Sequence, residues 1–146
     1  MIYRALGLIF FGGFIDLALW GLLQSPFPYC SRAVLYTLIG TQAPLEILMI
    51  ALVPALWPFF FLADSMGTDL GIIVCLGSFL HYVHSIAYIP LWGLMGTVFC
   101  TVMVHSFLLE GLMAQVPLLT MPIFALIGSI SVVYLHVGSQ GNRSRL

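Results

Sequence analysis

Apolar stretches of about 20 residues, the length an α-helix needs to cross ~30 Å of hydrocarbon, recur along this chain with polar or proline-bearing breaks between them. No other feature narrows the fold so far. A segment in lipid must satisfy its own backbone hydrogen bonds, and at this length the helix is the solution. The composition agrees: 62% of residues are hydrophobic and 6% are charged, about a quarter of the usual charged share of a soluble domain. The pattern predicts an all-α integral membrane protein, a bundle of five or six transmembrane helices. Residues 1–137 form a single transmembrane domain and residues 138–146 a short cytoplasmic tail.

The first span covers residues 5–23 and ends at Gln24-Ser25-Pro26-Phe27-Pro28, where two prolines remove backbone donors. Residues 33–63 are too many for one upright helix and barely enough for two. The break Gly40-Thr41-Gln42-Ala43-Pro44-Leu45-Glu46 favours two shorter helices, or a re-entrant piece followed by one span kinked at Pro54 and Pro58. Three clearer spans follow at 70–89, 91–112 and 117–137, stacked as up-down neighbours. The opening MIYRALGLIFFGGF imitates a signal peptide, but Asp16 interrupts it and no A-x-A site follows, so the segment is expected to be retained.

There is no lysine, and the four arginines and a net charge of −1 leave no electrostatic footprint for nucleic acid. Arginine placement does not choose between topologies: counting Arg4, Arg32, Arg143 and Arg145 as loop charges, five spans and six spans score alike. Cys30, Cys75 and Cys100 are an odd set and imply no disulfide framework.

Candidate chemistry is sparse. Asp64 and Asp69, with Ser65 and Thr68 between them, have the composition of an acid pair or a divalent-cation site. The same residues read better as an interfacial turn in which Gly67 permits positive φ and Asp69 caps a helix beginning at Leu70. Asp16 stands in mid-span, where a carboxylate must face the bundle interior. Two roles remain open for it, a proton or ion path and an interhelical hydrogen bond. Glu110 lies near the end of its span and Glu46 within the ambiguous break. His81 and His84 share a helix face and His105 lies on the next span, a pattern that invites bis-histidine haem ligation. Depth opposes it: counted from Pro90, His105 lies roughly 13 Å from the level of His84 and about 9 Å from that of His81. These histidines read as interhelical hydrogen-bonding groups. No G-x-S-x-G or H-E-x-x-H occurs and no serine has a base at helical spacing, so neither an enzyme nor a cofactor is expected. Gly7, Gly12, Gly13, Gly93 and Gly96 are the small residues expected at helix contacts.

Set in order, Leu22-Leu23-Gln24, Arg32, Leu62-Ala63-Asp64, the short polar stretch, Leu70-Gly71 and His81-Tyr82-Val83 form a longer pattern that resembles the MreD family of rod-shape-determining membrane proteins. Arg32-Ala33 stands where that family tends to have Arg-Pro. The resemblance covers about half of the chain. It implies a non-enzymatic scaffold of the bacterial inner membrane that works with shape and peptidoglycan-elongation proteins. On that view Asp64, Gly67, Asp69 and Gly71 form a structural turn between spans. The alternative from the residues alone is a small transporter or ion-conducting subunit, possible as a homo-oligomer, with Asp16 as its coupling carboxylate.

Overall fold

The computed structural model describes residues 2–23, 28–56, 63–87, 90–113, 126 and 129–130. Among them there are five α-helices and no strand: α1 (Ile2–Leu23), α2 (Tyr29–Gly40), α3 (Leu45–Leu56), α4 (Ala63–Ile86) and α5 (Leu91–Met113). The expected span at 117–137, the tail at 138–146, Pro58 and the side chains of Asp64 and Glu110 lie outside the described residues. Three helices contain windows long and apolar enough to cross a membrane: Ile2–Leu22, Gly67–Ile86 and Trp92–Leu109.

The ambiguous region resolves into two short helices. Each has 12 residues and is therefore about 18 Å long, well under the thickness of a bilayer core. The break between them is a helix end of Schellman type: the Ala43 N–H donates to the Leu38 carbonyl and the Gln42 N–H to that of Ile39. Such an end needs a left-handed residue, and Gln42 takes that position with φ of 56°. Pro44 then prevents continuation of α2, and α3 starts at Leu45.

Cross-helix pairs fix the directions. Arg32 of α2 meets Ala55 of α3, so these two form an antiparallel hairpin closed at Gln42. Asp16 of α1 meets Cys30 and Ser31, and a Cβ at Gly13 would lie 3.1 Å from Pro54, which sets α1 against the open end of that hairpin. Asp69 of α4 meets Arg32, and a Cβ at Gly77 would lie 3.0 Å from Ile39, so α4 runs parallel to α2. His105 and Leu94 of α5 approach Arg32 and Gly40 respectively, so α5 runs the other way. The directions alternate along the whole described chain, as expected for consecutive antiparallel neighbours. The start of α1, the Gln42 turn and the turn before Pro90 share one end of the bundle; Pro28 and the ends of α3 and α5 share the other.

Helix α2 packs against all four of the other helices. Ten of its residues are buried, among them Arg32, Tyr36 and Thr37. The long helices instead expose large apolar side chains, including Phe10, Phe14, Phe79, Tyr82, Trp92 and Phe107. An apolar outer surface around a polar centre suits lipid better than water.

The polar turn expected at Asp64, Gly67, Asp69 and Gly71 is not there: all four positions belong to α4. Gly67 has negative φ, like every glycine described. Asp69 caps nothing, because it lies inside the helix and is fully buried. A glycine in a helix interior costs about 1 kcal/mol relative to alanine, a local preference that tertiary context overrides.

Candidate functional site

The centre of the bundle is built from α2 outward. Arg32 sits in the first turn of this helix with no exposed surface, and a cation at such a place needs partners for all its donors. It finds them on three helices. The Nε–H donates to the Ala55 carbonyl of α3 at 3.0 Å, Nη2 donates to Oδ2 of Asp69 on α4, and Nη1 lies 2.7 Å from Nε2 and 3.1 Å from Nδ1 of His105 on α5.

The imidazole of His105 is held at both edges. Nε2 is 2.6 Å from Oδ1 of Asp69, and Nδ1 is 2.6 Å from the hydroxyl of Tyr36. The Tyr36 and His105 rings also meet edge to face, with centroids 5.9 Å apart. Residues 32 and 36 are one turn apart on the same face of α2, so a single helical stripe supplies both the cation and the phenol. A neutral His105 that donates from Nε2 to Asp69 and accepts from the Tyr36 hydroxyl at Nδ1 accounts for both contacts at 2.6 Å, and in that tautomer Nε2 cannot also accept from Nη1 of Arg32. The quartet then carries one positive and one negative charge and is neutral as a whole.

A second polar site lies at the start of α2. Pro28, at its N-cap, offers neither side-chain oxygen nor N–H, and no side-chain cap of its own is formed. Asp16 of α1 takes over: Oδ1 accepts from the Cys30 N–H at 2.9 Å and Oδ2 from the Ser31 N–H at 2.6 Å. A carboxylate on the first free amides of a helix is favoured by hydrogen bonding and by the helix dipole together. Of the two roles open to Asp16, the interhelical hydrogen bond is the one seen.

The remaining sequence candidates scatter. His84 bonds the Thr97 hydroxyl of α5 at 3.2 Å, and His81 is exposed on α4. The three histidines therefore do not gather, and no group of three or more metal-ligating side chains occurs among the described residues. Gly12 and Gly13 are packing glycines, against Val34 and Pro54. Gly93 is half-buried. Gly96 and Gly7 have nothing within 4 Å of the position of a Cβ, so among the described residues they serve no helix contact.

Two members of the quartet were not candidates on sequence grounds. Arg32 counted there as a loop charge for orientation and as one residue of the family pattern, and Tyr36 not at all. Both had a usable signal: a lone arginine running into an apolar segment must find an acid, and Tyr36 is its neighbour one turn on.

A cavity of about 530 Å³ lies between α1 and α3, walled by Ile9, Phe10, Phe14, Ile50 and Val53 among others, with Asp16 the one ionisable side chain among its described lining residues. The Arg32 quartet does not line it. Comparison of the chain with protein families, with curated proteins and with solved structures found no match.

Proposed function

We propose that this chain is an integral membrane protein that acts as a non-enzymatic scaffold, its interior polar groups serving to fix helix positions. One observation carries the reading: the described interior ionisable side chains are spent on helix-to-helix bonds, while the outer faces of the long helices are apolar. Asp16 holds α2, and Arg32, Asp69 and His105 join α2, α4 and α5. A catalytic or transport centre needs groups that reach a substrate, and this quartet is sealed. The resemblance to the MreD family supplies the partner class, shape and peptidoglycan-elongation proteins of a bacterial inner membrane.

The test is an affinity pull-down of the tagged chain from mildly solubilised membranes, with partners identified by mass spectrometry. Recovery of wall-elongation or shape proteins supports the scaffold. Recovery of the chain alone, as a homo-oligomer, counts against it.

The transport alternative has one observation in its favour, the place of Asp16 on the wall of the α1–α3 cavity. Both carboxylate oxygens are already engaged by α2 amides, which leaves this group poorly placed to carry an ion. Loss of solute uptake in Asp16→Asn at unchanged membrane level would restore the transport reading.

A further inference from the structure

The quartet around Arg32 has a property that packing alone does not require. Nε2 of His105 lies between a carboxylate oxygen at 2.6 Å and a guanidinium nitrogen at 2.7 Å, so one ring atom faces an anion and a cation at once. Nδ1 faces a hydroxyl oxygen that accepts as readily as it donates. Both ring nitrogens of a protonated His105 would thus have acceptors already in place, Oδ1 of Asp69 and Oη of Tyr36. What such an imidazolium could not keep is the adjacent guanidinium.

We propose that His105 is a proton-operated switch that decides which helix Asp69 holds. With His105 neutral, Asp69 is shared between Arg32 of α2 and His105 of α5. When a proton from water binds the ring, the imidazolium and Asp69 form the ion pair between α5 and α4, Tyr36 turns its hydroxyl to accept from Nδ1–H, and Arg32 is repelled. Helices α4 and α5 then stay joined through that ion pair, while α2 loses the Arg32 tie to both and keeps the Tyr36 bond to α5 alone.

Among the described residues α3 faces the quartet through the Ala55 carbonyl, and Asp16 of α1 is taken up by the amides of Cys30 and Ser31. The switch stands on the geometry of the quartet and holds whether or not the scaffold reading does.

The test is thermal unfolding of the purified full-length chain in detergent across about pH 5 to 8. The wild type is expected to lose several degrees of melting temperature toward the acid end. His105→Gln, which cannot take up the proton, and Arg32→Gln, which removes the repelled cation, are each expected to flatten that slope. Equal slopes in all three proteins overturn the switch. If either variant fails to fold, nitrogen-15 histidine spectra of the wild type decide, with His105 assigned by elimination using His81→Gln, His84→Gln and His136→Gln. Passage of the ring to the imidazolium pattern in step with a shift of the Arg32 Nε signal supports the switch. A ring that stays neutral until the protein unfolds, or that charges without moving the Arg32 signal, overturns it.

Discussion

Asp69 was visible in the sequence as an acid among small polar residues, and local rules made it a turn residue. Its actual partners, Arg32 and His105, are 37 and 36 positions away, a separation at which no local pattern carries a signal. Because both ions are fully buried, removing one strands the other: Asp69→Asn or Arg32→Gln is expected to destabilise the protein by about 3–5 kcal/mol. Replacing both by apolar residues of similar volume, Arg32→Met with Asp69→Leu, should cost much less than the sum of the singles, as reversible unfolding in detergent would read. A double variant as unstable as that sum would mean that the pair does not interact. Gln42 offers the opposite case. It occupies a left-handed position that a side chain makes strained and glycine does not, so Gln42→Gly is expected to raise stability by about 0.5–1 kcal/mol in the same assay. A loss would show that the glutamine side chain makes a contact worth more than the strain.

At the scale of helices, the three long apolar segments and the proline at position 90 were legible because length and hydropathy act locally. The short pair α2 and α3 was legible only as a choice between alternatives, since 12-residue helices hold their place by packing more than by propensity. The cap that defines the start of α2 shows why. Asp16 lies 14 and 15 residues before the amides it bonds, outside the window in which N-cap signatures are sought. Asp16→Ala is expected to cost about 1 kcal/mol and to speed amide hydrogen exchange at Cys30 and Ser31, while exchange in α5 stays unchanged. Uniform acceleration throughout the bundle would place Asp16 in the global fold and not in the local cap. Two glycines separate internal from external packing in the same way. Gly13→Val adds bulk where even a Cβ would lie 3.1 Å from Pro54, and should destabilise by about 1–3 kcal/mol. At Gly96 a Cβ meets nothing within 4 Å among the described residues, and Gly96→Val should leave the melting temperature of the monomer in place.

For the whole molecule, the sequence could not choose an orientation because Arg32 was weighed as a loop charge, and the structure removes it from that count. It is buried between helices, so its position reflects Asp69 and not retention at a membrane face. Arg4 then becomes the arginine of the described region that bears on topology, and positive residues are retained on the cytoplasmic side. Since α1 begins at the end of the bundle that also holds the Gln42 turn and the turn before Pro90, these three should share the cytoplasmic face. Single cysteines introduced at Gln42 and Ala87, in a background with Cys30, Cys75 and Cys100 replaced by serine, test this directly. Both should resist a membrane-impermeant maleimide in intact cells and react once the membrane is opened. Labelling of both from outside would invert the whole bundle and leave the fold intact, whereas labelling of one alone would separate the two turns and contradict the alternating helix directions on which the placement of Arg32, Asp69 and His105 depends.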